Sequence, residues 1–388
     1  MGSMKNSTTN RRATTLVETL VVLLSVVVFM LLFMAVTSNA VPMRMLTGEE
    51  VSKANLVDIH EAHVLYANNN GGKQWSAHLD NFGNTLGNCS QYVATVGCPP
   101  QQIMGFDANG GQWGYWAGGA MCPPQYPSGC GNWPVYLPNA WSGNWFGSWN
   151  TLQMKSFHDY LNGRFYDRTY YAPNDTALYA AAAPYFNSAV EFNYPPTTIA
   201  WSSYGMSPAA MWNPEVLRAP SAGGFRNPSA FAGAFERQQL AGATYPELKS
   251  LTFEKNWNQD APTASGLPFN KSPSGRPITL FYDGHTDGLS NARAIEDDAR
   301  VTAQGGDGLW HRGTPWGTSG YSAGVTSHSV LTTDGIRGRD IVACVTSGHV
   351  LADMLVNWGG TGSTDFNGDG VINGLDLNVL LSDWRSCP

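Results

Sequence analysis

A long apolar stretch near the N-terminus constrains this chain more than any other feature. No Asp, Glu, Lys or Arg occurs between Thr19 and Val36, and the stretch from Thr14 to Val36 has 23 residues. As a helix it would be about 34 Å long, enough to cross the hydrocarbon core of a bilayer. Because Arg11 and Arg12 precede it, we expect its start to stay on the cytoplasmic side.

The acidic residue Glu18 lies just inside this apolar stretch. A lone carboxylate at membrane depth costs about 3 kcal/mol on insertion scales, so it needs a partner. A cut after Ala13 would make Thr14 the first residue of the mature chain and Glu18 the fifth. The simpler alternative is a signal anchor whose Glu18 lies among the lipid headgroups.

These residues resemble the N-terminal signal of type IV pilins and type II secretion pseudopilins. The resemblance implies cleavage by a prepilin peptidase, N-methylation of Thr14, and pairing of Glu18 with the freed N-terminus of a neighbouring pilin-like subunit. Ala13 stands where the family has glycine, and Thr14 where it has phenylalanine. The implied function is structural, in a surface filament or a secretion apparatus. The implied location is the inner membrane, crossed once, with the ectodomain exported to the periplasm or the cell surface.

Composition agrees with an exported, loop-rich ectodomain. Only 13% of the residues are charged, while the chain has 43 Gly, 23 Pro and 14 Trp. The net charge of −7 argues against a nucleic-acid partner, because phosphate contacts need a basic surface. An even number of cysteines on the exported side indicates disulfides. Among the fifteen pairings of six cysteines, the short spacings favour Cys89–Cys98 and Cys122–Cys130, which leaves Cys344–Cys387.

We expect an α+β fold in which a long N-terminal hydrophobic helix over residues 14–70 packs on an antiparallel sheet. A leader peptide of residues 1–13 would precede this helix. Residues 71–360 would form the globular ectodomain, with a Trp-rich insertion at 111–150. Residues 361–388 would form a separate calcium-binding segment.

The second half of the expected helix has an amphipathic pattern. Thr47 and Glu50 have the spacing of a capping box, and Pro42 should kink or interrupt the helix. An apolar stripe at helical spacing predicts a face that packs on the sheet. The stripe consists of Leu56, Ile59, Ala62, His63 and Tyr66. His60 and His63 have a spacing that suits a metal, but no third ligand is evident, so a helix surface is the preferred interpretation.

Further along the chain, helices are predicted at 151–161, 175–183 and 231–240. Alternating apolar residues from Pro277 to Tyr282 run into Asp283-Gly284, which predicts a hairpin. This hairpin resembles one found in large pilin-like proteins of the planctomycete type. Asp283, His285 and Asp287 could form a catalytic or metal cluster, but Asp and Gly in such a turn usually serve backbone geometry.

A tryptophan-rich segment lies among Gly, Pro and Asn residues. Its members are Trp113, Trp116, Trp133, Trp141, Trp145 and Trp149. Because Gly-rich loops do not build regular strands, these rings either bury against one another or form exposed platforms that could stack on sugar rings. A disulfide-linked insertion with its own small core is the preferred interpretation.

The segment from Asp365 to Asp376 fits the twelve-residue calcium loop of EF-hands. Gly370 at position 6 permits the sharp turn, and Ile372 at position 8 would anchor the loop. The predicted Ca²⁺ ligands are Asp365, Asn367, Asp369, the carbonyl of Val371, Asn373 and Asp376. With Asp instead of Glu at position 12, the loop resembles one repeat of a dockerin, a module that normally has two. The resemblance implies Ca²⁺ and, more weakly, a cohesin-like partner.

Two functions therefore remain open at the level of sequence. The first is the pilin-like or pseudopilin-like structural subunit. The second is a membrane-anchored exported module that binds a glycan through the tryptophans or a protein through the calcium loop. An enzyme is not expected, because no paired carboxylates, catalytic triad, phosphate loop or nucleophile elbow is evident. His311-Arg312 and Arg337-Gly338-Arg339-Asp340 are interpreted as Arg–Asp pairing within the fold.

Overall fold

The computed structural model describes most of the chain from residue 46 onward. The described residues are 46–76, 103–114, 148–193, 199–255, 275–312, 328–342, 354–362 and 364–383, with the single residues 84, 91, 101, 138, 195 and 314. The chain divides into two units, Met1–Thr47 and Gly48–Pro388. Everything below concerns the second unit unless stated otherwise.

The first helix, α1, spans Gly48–Asn69. Glu49 and Glu50 lie in its first turn, where negative side chains interact favourably with the helix dipole. The helix ends at the glycine pair Gly71-Gly72, both with positive φ, and the amide of Gly72 donates to the carbonyl of Ala67 at 2.8 Å. This is the usual glycine-based termination of a helix.

Six strands form two antiparallel sheets in the described residues. They are β1 (Ile103–Phe106), β2 (Gln112–Gly114), β3 (Tyr204–Met206), β4 (Ser250–Glu254), β5 (Ile278–Phe281) and β6 (Thr286–Gly288). β1 pairs with β2, and the larger sheet has the order β3-β4-β5-β6. Register places Thr279 opposite Phe253 on one side and Asp287 on the other. All residues of β4 and β5 are buried, as expected for the two inner strands.

The other α-helices in the described residues have between 4 and 13 residues. They are α2 (Lys155–His158), α3 (Thr176–Ala182), α4 (Pro208–Met211), α5 (Asn291–Ala303) and α6 (Gly374–Asp383). Single 3₁₀ turns connect much of the rest: Ser148–Asn150, Arg168–Tyr170, Ala183–Tyr185, Pro214–Val216, Pro220–Ala222, Pro228–Ala230, Ala232–Phe235, Leu240–Gly242 and Gly335–Arg337. Abundant Gly and Pro favour such turns over long helices.

The apolar stripe of α1 packs on the larger sheet, where α1 contacts β5 and β6. All five residues of the predicted stripe are buried. The core around them is rich in aromatic rings. Its largest fully buried side chains are Trp75, Trp212, Tyr170, Tyr171, Tyr204, Phe157, Phe165 and Phe192. Each such ring removes roughly 150–250 Å² from water, so a few rings give a loop-rich chain a large buried apolar area.

The predicted hydrophobic helix over residues 14–70 is wrong for the part of the chain that the structure describes. Leu46 and Thr47 are not helical, and α1 begins only at Gly48. No helix within the described residues has both the length and the apolar character to cross a membrane. The physical reason is polar composition, because Glu49, Glu50, Lys53 and other charged residues occupy α1. The apolar stretch itself, with Ala13, Thr14 and Glu18, lies outside the described residues.

Two of the shorter predicted elements also differ. The helix predicted at 231–240 is replaced by 3₁₀ turns, and the one at 151–161 is reduced to α2. The helix at 175–183 is present as α3, and the predicted hairpin is present as β5 and β6. The fold is thus a mixed α/β arrangement with two antiparallel sheets.

Candidate metal centre

Three carboxylates converge in the loop between Asp365 and Asp376. One oxygen atom from each of Asp365, Asp369 and Asp376 lies within 4.8 Å of the others. Asp365 and Asp376 are buried, with 3% and 0% of their surface exposed, whereas Asp369 is exposed. Buried carboxylates repel one another and are costly unless paired or bound to a cation.

Backbone amides hold Asp365 at the start of the loop. Its Oδ1 accepts from the amide of Gly368 at 2.9 Å, and its Oδ2 accepts from the amide of Gly370 at 2.8 Å. Gly370 has a φ of +89°, a conformation that side-chain-bearing residues rarely adopt. The glycine at position 6 therefore permits the turn that brings the three carboxylates close together.

Asp376 closes the loop from its other end. Its Oδ1 accepts from the amide of Asn367 at 3.1 Å, and its Oδ2 accepts from the amide of Asn373 at 2.8 Å. The same carboxylate therefore ties two predicted ligand residues to the first turn of α6.

The three remaining predicted ligands are Asn367, Val371 and Asn373. The Asn367 side-chain oxygen accepts from the amide of Asp369 at 3.0 Å, and that of Asn373 accepts from the amide of Leu375 at 2.7 Å. Asn373 also donates to the carbonyl of Val371 at 2.8 Å. Each of these oxygens has a second lone pair, so each can still coordinate a cation.

A buried anchor fixes the loop on its apolar side. Ile372 at position 8 has 0% of its surface exposed. Its amide donates to the carbonyl of Gly360 at 2.8 Å, and its carbonyl accepts from the amide of Gly359 at 2.8 Å. The loop is therefore paired with the turn at 357–360 of the same chain.

A bound cation would offset the repulsion among the carboxylates of the loop. Burial raises the pKa of Asp365, and the neighbouring carboxylates of Asp376 and Asp369 raise it further, against the backbone hydrogen bonds from Gly370 and Gly368. The candidate metal-ligand atoms are all oxygens. Oxygen ligands suit a hard cation such as Ca²⁺ or Mg²⁺, whereas Zn²⁺ prefers nitrogen and sulfur ligands. The residues present thus fit the predicted cation.

A second group of metal-type side chains is explained without a metal. His158, Asp159 and Glu191 lie close enough together to hold an ion. However, the ammonium of Lys155 lies 3.0 Å from Asp159 and in direct contact with Glu191. His158 Nε2 lies 3.1 Å from the same Glu191 oxygen. A metal would have to displace the lysine, so we interpret this group as an ion-pair cluster.

At the hairpin, the side chain of Asp283 stabilises the backbone of the turn. Asp283 Oδ1 accepts from the amide of His285 at 3.1 Å and lies 2.6 Å from its Nδ1, while Asp287 is exposed and lies 3.9 Å from Arg276. The ring of His60 packs against Gly284, but His63 is fully buried. The described residues therefore place no three-ligand group at this hairpin.

The two described tryptophans of the Trp-rich segment are not open platforms. Trp149 has only 2% of its surface exposed and stacks on Phe253 with ring centroids 5.9 Å apart. Trp113 is partly buried, and its Nε1 donates to Asp107 at 2.8 Å. The other four, Trp116, Trp133, Trp141 and Trp145, lie outside the described residues, as do all six cysteines.

The predicted pairing of arginines with aspartates near the C-terminus is correct only in part. Arg312 does pair with an aspartate, Asp298. Arg339 instead donates to carbonyls of the loop, and Asp340 pairs with the buried Lys249 at 2.8 Å. Sequence reasoning named Arg339 but not its contact with the loop, and it missed Lys249, because no local motif indicates either contact.

Comparisons of the chain with protein-family models, with curated proteins and with solved structures found no match. The geometry of the chain itself must therefore support any functional proposal.

Proposed function

We propose that this chain is a pilin-like or pseudopilin-like structural subunit whose ectodomain binds Ca²⁺ in the loop at 365–376. The observation that carries the proposal is the packing of α1 on the four-stranded antiparallel sheet. A helix that lies with one buried face on such a sheet, C-terminal to a prepilin-type signal, is the arrangement that the resemblance implies. Prepilin peptidase and other pilin-like subunits are the proposed partners, and the apolar stretch is the proposed membrane anchor before assembly.

In this proposal the loop holds Ca²⁺ with six residues. The side chains of Asp365, Asn367, Asp369, Asn373 and Asp376 and the carbonyl of Val371 supply the oxygens. The ion would neutralise the buried carboxylates, and the chain's own hydrogen bonds would orient them. The amides of Gly368 and Gly370 aim Asp365, and those of Asn367 and Asn373 aim Asp376.

The subunit proposal is tested by the pairing role of Glu18. In the native host, Glu18→Ala should reach the membrane in normal amount but should be depleted from sheared or purified filaments, because its partner amine loses the counter-charge. Glu61→Ala, at an exposed position of α1, is the control for a lost carboxylate. Equal assembly of the Glu18→Ala chain and the wild type would contradict the pairing.

The calcium proposal is tested by calorimetric titration of the purified chain. We expect one Ca²⁺ per chain, and we expect Asp365→Asn to weaken binding at least tenfold because it removes a buried charged ligand. Asp287→Asn removes an exposed carboxylate and should leave binding unchanged. No heat from the wild type, or no difference between the two variants, would contradict the site.

A membrane-anchored module that binds another protein is the second candidate. Five of the ten large apolar side chains that are exposed in the described residues belong to the loop or to residues 354–360, which pair with it. They are Leu355, Val356, Trp358, Val371 and Leu375. A photo-crosslinker at position 358 in living cells would separate the candidates. Crosslinks to a protein other than a pilin-like subunit would favour the second candidate, and crosslinks to pilin-like subunits alone would contradict it.

A further inference from the structure

One arginine of residues 48–342, called the body below, binds the loop at 365–376. Arg339 Nη1 donates to the carbonyl of Asp365 at 3.2 Å, and Nη2 donates to the carbonyl of Phe366 at 2.9 Å. The guanidinium also lies 5.2 Å from the ring centroid of Tyr245. Arg339 is 9% exposed and Phe366 is 3% exposed, so this contact is shielded from water, where a two-pronged hydrogen bond is strongest.

On the body, buried contacts of the neighbouring residue fix the backbone position of Arg339. The next residue, Asp340, is fully buried, and its amide donates to the carbonyl of Leu248 at 2.9 Å. Its carboxylate accepts from Lys249 Nζ at 2.8 Å and from the amide of Ser329 at 2.8 Å. Arg339 therefore projects from a backbone position that the core fixes, and the loop must adapt to it.

The loop side has no free pairing edge at position 8. Both backbone groups of Ile372 already bind Gly359 and Gly360. The turn at 357–360 therefore occupies the backbone edge of the loop at this position.

We infer that the body of this same chain is the docking partner of the loop. Arg339 couples cation binding in the loop to the docking of residues 354–383 on the body. The inference rests on the proposed calcium site. Asp365 is the residue through which the coupling passes, because its side chain is a predicted ligand while its carbonyl binds Arg339. A cation that fixes the side chain of Asp365 also fixes the orientation of that carbonyl, and docking on Arg339 pre-orients the ligand in return. By reciprocity, each event strengthens the other by the same factor.

Amide hydrogen exchange on the full-length purified chain, with and without CaCl₂, tests this coupling. In the wild type, Ca²⁺ should slow exchange in the loop and also at residues 339–342 of the body. Arg339→Lys keeps the positive charge but cannot form the planar bidentate hydrogen bonds of the guanidinium group. In that variant the loop should still respond to Ca²⁺, residues 339–342 should not, and the calcium affinity measured by calorimetry should fall about tenfold.

Two comparisons make the test specific. Arg337→Lys is the matched control, because Arg337 is an exposed arginine two residues away, and it should behave as the wild type in both measurements. Arg339→Met, which removes charge and contact together, should lose the response at 339–342 as well. Wild-type behaviour of Arg339→Lys would overturn the coupling, as would a calcium response confined to the loop in the wild type. Absence of any Ca²⁺ heat in the wild type would instead remove the proposed site on which the coupling depends.

Discussion

Ser52 of α1 donates a hydrogen bond to the carboxyl group of Glu254, the last residue of β4. The other carboxyl oxygen of Glu254 accepts from the amide of Ile278 at 2.9 Å. Glu254 is fully buried. Burial raises its pKa to about 9, and the nearby acids Asp175 and Glu49 add to the rise, against the two hydrogen bonds. Glu254 therefore joins the N-terminal part of α1 to the sheet, and its raised pKa favours the neutral form of the carboxyl group at pH 7.

The first prediction concerns the pH dependence that Glu254 imposes on stability. A pKa raised in the folded state contributes stability that is fully present below the unfolded value of about 4.5 and is lost as pH rises toward 9. Glu254→Gln keeps a neutral group of the same shape, so urea unfolding should show a flatter pH profile between 4.5 and 9 than in the wild type. Glu61→Gln is the control at an exposed position. A wild-type slope in Glu254→Gln would show that Glu254 is ionised in the fold.

The second prediction concerns acid sensitivity through His63. This residue is fully buried against Phe157 and Trp75, and neither ring nitrogen has a hydrogen-bond partner within the described residues. Burial, with a smaller contribution from His60, lowers its pKa to about 3. Stability is therefore lost as pH falls from 6.5 toward 3, because only the unfolded chain takes up the proton readily.

His63→Phe should remove that loss and should raise the free energy of unfolding by roughly 1 kcal/mol near neutral pH, because it also removes unpaired buried nitrogens. Chemical denaturation at pH 7 and pH 5 measures both effects. A larger acid sensitivity in the variant than in the wild type would contradict this account.

The third prediction concerns the buried pair of Lys249 and Asp340. Burial raises the pKa of Asp340, but Lys249 and hydrogen bonds from Ser250 and Thr332 outweigh burial and hold it at about 2. Removing one partner of a buried pair costs about 3–5 kcal/mol. Asp340→Ala should lie at the upper end of that range, because the amides of Ser250 and Ser329 also lose their acceptor.

Lys249→Met should cost less, because the Asp340 carboxylate keeps its other donors. Equilibrium unfolding of both variants and of the double variant measures the order and the coupling between the two positions. Asp287→Ala, at an exposed position, should change stability by less than about 0.5 kcal/mol. A larger loss from Lys249→Met than from Asp340→Ala would contradict this ranking.

The fourth prediction compares two glycine substitutions, one that adds a steric contact to the backbone strain and one that adds the strain alone. Gly284 has a φ of +91°, and a Cβ built there would lie 2.9 Å from the ring of His60. Gly71 also has a positive φ, +64°, but nothing lies within 4 Å of its Cβ position. Gly284→Ala should therefore reduce stability more than Gly71→Ala, which carries only the strain of about 1 kcal/mol. Equal losses in thermal unfolding would show that the contact with His60 does not matter.

Local patterns predicted the parts of this molecule that local chemistry determines. The stripe from Leu56 to Tyr66 follows from helical periodicity, and the hairpin at Asp283-Gly284 follows from turn geometry. The convergence of three carboxylates in the loop at 365–376 follows from their spacing around the turn at Gly370. These elements depend on residues a few positions apart.

Contacts between distant residues could not be predicted in this way. Lys249 and Asp340 are 91 positions apart, and Arg339 meets the carbonyl of Asp365 across 26 positions. Nothing in the local sequence of any of these residues indicates its partner. The helix expected over 14–70 was wrong within the described residues for a different reason, because Leu46 and Thr47 are not helical and charged residues such as Glu49, Glu50 and Lys53 occupy α1.

The central claim, that this chain is a processed pilin-like subunit, is tested most directly by the mass of its mature N-terminal peptide. Native protein from the host's cell envelope should give a peptide that begins at Thr14 and carries one methyl group. Peptides that begin at Met1 or Gly2, or an unmethylated start elsewhere in the chain, would contradict the claim.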